Sequence, residues 1–107
     1  MATNYQKGYA FENKIVRHFR GLGFFAVRTA GSHSAVDVIA WDEVNFFLIQ
    51  AKTGHLGLAE LLRAKEELRA VPFPYLYSPG GSEAFGECPH REVWVKGLRE
   101  GWARYEA

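Results

Sequence analysis

The sequence predicts an α/β domain in which a sheet of about five short strands is flanked by helices. Three observations lead there. Apolar residues recur at spacings of three and four in two stretches, near the start and in the middle of the chain. Between and after them lie short runs rich in β-branched and aromatic residues. Two of these runs, VDVIAW and FFLIQAK, are separated only by Asp42, Glu43, Val44 and Asn45, a turn-forming segment that makes the pair read as a hairpin.

At 107 residues, 48% of them hydrophobic and 15% aromatic, residues 1–107 are expected to form a single domain with its own core. No apolar run approaches the ~20 residues that would cross a bilayer, so no membrane association is expected. The opening MATNYQKGYAFEN has neither an apolar core nor a cleavage pattern, so the expected location is intracellular. The single Cys88 agrees, and with only His90 beside it the thiol reads as an incidental loop residue and not a zinc ligand. A net charge of +1 excludes a protein that coats nucleic acid by bulk charge. The charge is uneven, however: Lys7, Lys14, Arg17, Arg20 and Arg28 stand against Glu12 alone in residues 1–31. Such a basic segment can face phosphates, or it can be a solvated helix face.

Taken in order, residues 4–20 read as a helix whose stripe is Phe11, Ile15, Phe19 and Leu22, widened by Val16, and Gly21 and Gly23 end it. Glu12 falls on the buried edge of that stripe, where a carboxylate is costly unless it is ion-paired with a lysine or arginine from the sheet or bound to a metal. Residues 24–29 read as a strand whose small apolar face is interrupted by Arg28. Residues 30–35 form a polar loop in which Ser32, His33 and Ser34 could hold phosphate oxygens. After the hairpin and a connector, residues 58–70 form a second amphipathic helix, with Leu58, Leu61, Leu62 and Leu68 as its core stripe and Pro72 and Pro74 beyond its end. Residues 75–77 and 92–96 supply two further strands, 78–91 a long loop, and 97–107 a polar tail without a clear pattern.

Centring the hairpin turn between Glu43 and Val44 sets Trp41 opposite Phe46, Ile39 opposite Leu48 and Asp37 opposite Gln50. Strand alternation then puts Asp37, Gln50 and Lys52 on one face. A carboxylate and an amide oxygen on opposed residues can grip one hard cation.

The stretches KGYAFENKIVRHF, GFFAVRTAGS, AVDVIA and FFLIQAK, followed by a leucine-rich helix, resemble the PD-(D/E)XK nuclease superfamily and, within it, the archaeal-type Holliday junction resolvases. The resemblance implies a restriction-endonuclease-like core with a central mixed sheet. It further implies a homodimer that cuts four-way DNA junctions with Mg²⁺, for which Mn²⁺ substitutes. The family's helix glutamate, aspartate, second acid and lysine fall on Glu12, Asp37, Gln50 and Lys52, and its arginine and serine on Arg28 and Ser32. Ala51 would add a backbone carbonyl to the metal ligands Glu12, Asp37 and Gln50, and Lys7, Lys14, Arg17, Arg20, Arg28, Ser32, His33 and Ser34 would face DNA. Gln50 departs from the pattern, because a neutral amide stands where the family has an acid. A QxK form also resembles the Mrr branch of restriction nucleases. Three functions therefore stay open: a junction resolvase, an endonuclease or nickase of linear duplex with the same centre, and a module that holds branched DNA without cutting it. An intracellular, nucleoid-associated location fits each, in a cellular or a viral setting.

Overall fold

The computed structural model describes residues 4–29, 35–72, 89–97 and 101–107. Helix α1 (Asn4–Gly21) is followed by strands β1 (Phe25–Arg28), β2 (Val38–Trp41) and β3 (Phe46–Thr53), helix α2 (Leu58–Arg69), and strands β4 (Pro89–Lys96) and β5 (Trp102–Glu106). The strands form one mixed sheet in the order β1-β2-β3-β4-β5, in which β3 and β4 run parallel and the other neighbours antiparallel.

Alternation along β3 explains the layering. Phe47 and Ile49 face α1, packing with Phe11, Ile15, Phe19, Val38 and Trp94. Phe46 and Leu48 face α2, packing with Ala64, Leu68, Val93 and Val95. Residues 46–50 are thus all buried, as befits a central strand covered on both faces. The turn out of α1 needs Gly23, which adopts φ +90° while the amides of Leu22 and Phe24 both bond the carbonyl of Phe19. The hairpin has the register expected from the sequence, with Trp41 paired to Phe46 and Ile39 to Leu48. Asp42 sets it: its carboxylate accepts the amides of Val44 (2.9 Å) and Asn45 (2.6 Å), which hold it below the usual aspartate range.

Four expectations change. Leu22 is exposed, because α1 ends at Gly21 and the turn beyond it carries the residue off the stripe. Leu58 and Leu62 are exposed too, and α2 packs through Ala64 and Leu68 with Leu61 beside them, because the small Ala64 lets the helix settle close to β3 and β4. The tail forms edge strand β5, mostly exposed and so lacking a hydrophobic alternation to betray it. Strand β4 begins at Pro89, inside the expected loop, where a first-position proline leaves the ladder intact. The expected strand at 75–77, the rest of the loop including Cys88, and Ser32, His33 and Ser34 lie outside the described residues. No helix among the described residues is long and apolar enough to cross a membrane.

Candidate nuclease centre

One end of the sheet collects the charged residues. Arg28 ends β1 opposite Val38, Asp37 immediately precedes β2, Gln50, Ala51 and Lys52 lie near the end of β3, and Lys96 ends β4 opposite Thr53. The first turns of α1 reach the same end, where Glu12 meets Arg28 at 3.1 Å and the Arg28 guanidinium lies 4.0 Å from the centre of the Tyr9 ring. The buried-edge position of Glu12 is therefore satisfied by the sheet cation that the helical pattern called for.

Asp37 continues the β2–β3 ladder with its side chain. Its backbone amide bonds the carbonyl of Ile49 (2.8 Å), its carbonyl accepts the amide of Thr29 (3.0 Å), and its Oδ2 accepts the amide of Ala51 (2.8 Å). The Thr29 hydroxyl bonds the carbonyl of Val36, which tightens the approach to Asp37. Burial pushes the Asp37 carboxyl above the usual aspartate range. The Ala51 amide works against that shift, the Glu12 charge adds to it, and the charges of Lys52 and Arg28 oppose it. Among the described residues no ion pair joins Lys52 to Asp37, so a purely structural Lys52–Asp37 bridge is not what holds the lysine here.

Gln50 is 5% exposed and points to the α2 side of the sheet, as its alternation with Leu48 requires. Its Nε2 lies 3.5 Å from Oε2 of Glu67 on α2, and its Oε1 is buried with no hydrogen-bond partner among the described residues. Lys52 lines a cleft of about 210 Å³ on this side with Leu56, Glu60, Arg63, Ala64 and Glu67. Among the described residues no three His, Cys, Asp or Glu side chains converge on one point.

Of the basic residues expected to face DNA, Lys7, Lys14 and Arg17 are exposed on α1. Arg20 is exposed too but donates to the carbonyl of Ala26 (2.9 Å), so it also ties α1 to β1. Lys14 has a neighbour the sequence reading missed: the close approach of the Lys14 ammonium, a second donor of like charge, holds the Lys96 ammonium below the usual lysine range. Glu67, exposed on α2, is a neighbour of Gln50 that the sequence reading did not single out. Its place three positions after Ala64 and one before Leu68 is the signal that it borders the buried stripe.

A model of the archaeal Holliday junction resolvase family (Hjc) matches residues 3–68. No curated protein sequence matches the chain. Among solved structures, Archaeoglobus fulgidus Hjc, a Holliday junction resolvase from an archaeal hyperthermophile, superposes with a TM-score of 0.59 at 22% identity, over 94% of this chain and 72% of that one. That likeness bears on the fold: the mixed five-stranded sheet with its two helices is the restriction-endonuclease-like core expected from the resemblance. The family match spans α1, the hairpin and nearly all of α2, the segments that carry Glu12, Asp37, Gln50, Lys52 and Glu67, and on this ground the chain belongs to the archaeal Holliday junction resolvase family.

Proposed function

We propose that the protein is a metal-dependent endonuclease that resolves four-way DNA junctions, acting as a homodimer through the hairpin centre. The observation that carries this is the buried, unpartnered Oε1 of Gln50 beside the pinned carboxylate of Asp37 and the unbridged Lys52. An orphaned buried acceptor costs about 1–3 kcal/mol, and a hard cation relieves that cost. The donors fit Mg²⁺ or Mn²⁺: Asp37 and the Gln50 amide oxygen would hold it, with the Ala51 carbonyl and Glu12, the latter directly or through water. When bound, the ion supplies activation of the attacking water and stabilisation of charge on the phosphate.

The chain's own residues do the rest. The Ala51 amide fixes the aim of Asp37. Lys52, a half-exposed ammonium without an ion-pair partner among the described residues, orients the attacking water or takes its proton and offsets charge at the scissile phosphate. Arg28, held over Tyr9 by Glu12, clamps a neighbouring phosphate. Ser32, His33 and Ser34, which follow β1 in sequence, keep the role of phosphate contacts that the sequence suggests for them. A junction has two strands to cut and this domain one centre, so two copies are needed. The exposed Leu58 and Leu62, four residues apart and on one face of α2, support the contact surface together with Tyr105 of β5.

The test is a labelled four-way junction and its matching linear duplex, each incubated with the protein and Mg²⁺ or Mn²⁺. Paired symmetric cuts in the junction, abolished by EDTA and by Asp37→Asn or Lys52→Ala, are expected. Cleavage undiminished by EDTA would sink the mechanism. Cleavage of the duplex at an equal rate would replace junction resolution with linear-duplex nicking by the same centre, and no cleavage of either would favour a module that only binds branched DNA.

A further inference from the structure

The Gln50 amide and the Glu67 carboxylate do not satisfy each other. Their 3.5 Å separation is at the outer limit of a hydrogen bond, and the second amide atom, Oε1, is buried with no donor among the described residues. Turning the amide over would set its oxygen toward the Glu67 carboxylate, and a hard cation held by both would complete the bonding that the present contact leaves unmade.

The charge balance points the same way. Oε1 of Glu12 is engaged by Arg28 at 3.1 Å, which offsets part of that carboxylate's charge. Asp37 then stands as the carboxylate of the sequence-derived site that has no ion pair among the described residues, with Lys52 close enough to act on its charge. A divalent ion held by one carboxylate and neutral oxygens, beside a lysine, is held weakly, because affinity for hard cations rises with the number of charged ligands. Glu67 is the carboxylate whose reach toward the buried amide the structure records, and it lines the same cleft as Lys52. Its side chain is exposed and has no ion-pair partner among the described residues, so it is not committed elsewhere.

We propose that Glu67 of α2 is a ligand of the divalent cation at this centre and supplies from the helix the negative charge that Gln50 does not bring from the strand. The proposal rests on the nuclease reading above and adds a residue to it. A carboxylate delivered from α2 also makes the metal site depend on the seating of that helix through Ala64 and Leu68.

The experiment is a Mn²⁺ titration of the full chain without DNA, with free Mn²⁺ read by electron paramagnetic resonance. Wild type, Asp37→Asn, Glu67→Gln, Gln50→Glu and the double variant Gln50→Glu/Glu67→Gln are compared. Glu67→Gln is expected to weaken Mn²⁺ binding about tenfold or more. The double variant, which moves the carboxylate from helix to strand, should return to within a few-fold of wild type. Melting temperature and junction affinity in EDTA should not change in Glu67→Gln. Unchanged Mn²⁺ affinity in Glu67→Gln, with affinity lost in Asp37→Asn, would overturn the role of Glu67 and leave the nuclease centre standing. Weakening that Gln50→Glu fails to reverse would also overturn it, since the charge would then not be what matters. Absence of Mn²⁺ binding by wild type would remove both this proposal and the metal centre beneath it.

Discussion

Asp37 carries two duties at once, closing the ladder through the Ala51 amide and presenting charge to the centre. Its proton affinity shows the conflict. A carboxyl whose folded pKa is raised binds its proton more tightly in the native than in the unfolded chain, so native stability falls as pH climbs from the unfolded value through the folded one. At neutral pH the charge on Asp37 is therefore a stability cost, one that the metal role proposed for it would explain. Asp37→Asn keeps an oxygen for the Ala51 amide and removes the charge. Its melting temperature at pH 7 should match or exceed that of wild type by a few degrees, with the gain vanishing below about pH 4. Cleavage should fall by at least about a hundredfold. A lower melting temperature at pH 7, measured by calorimetry, would show that the carboxylate is needed for the fold and not only for the chemistry.

At the scale of elements, the hairpin and α2 set where the chemistry sits. Asp42 holds the turn by accepting the Val44 and Asn45 amides, and its depressed pKa means that its contribution is present above the unfolded value and lost as pH falls through the folded one. Asp42→Ala should therefore melt below wild type at pH 7, with the gap closing under strongly acid conditions, while Asp42→Asn should recover part of it. A constant gap across that range would assign the loss to something other than the carboxylate. In α2 the packing is close at Ala64, which is 2% exposed. Ala64→Leu should lift the helix, cost about 1–3 kcal/mol in urea unfolding, and disturb the cleft that Glu67 and Lys52 share. An unchanged unfolding midpoint would mean that the helix yields without strain.

For the whole molecule, the charged end of the sheet meets the basic side of α1. Lys14 and Lys96 stand together there, two like charges whose mutual cost a phosphate would relieve. Replacing both with glutamine should leave junction binding in place but reduce the slope of log affinity against log salt by about 1–2. An unchanged slope would place the DNA backbone elsewhere. Arg20 is a poorer probe, since its bond to the Ala26 carbonyl mixes stability into the result. The Leu58 and Leu62 surface answers a separate question. Leu58→Glu with Leu62→Glu should convert a dimer to a monomer by light scattering while each domain stays folded. A dimer that persists would move the contact to another face.

What the sequence by itself determined was local in origin: the extent of α1, the hairpin and its register, the meeting of Asp37 with the end of β3, and a sheet cation for Glu12. Periodicity and turn chemistry act over a few residues and are written in the residues themselves. Packing decided the rest. Leucines at positions 58 and 62 look like core residues until β3 and β4 select Ala64 and Leu68 as the seat of the helix. Strand β5 has too little buried surface to show a pattern and exists because β4 offers it an edge. The orphaned Gln50 oxygen, the approach of Glu67 and the pairing of Lys14 with Lys96 depend on residues 17 and 82 positions apart in the chain coming together, and no local pattern records such distances.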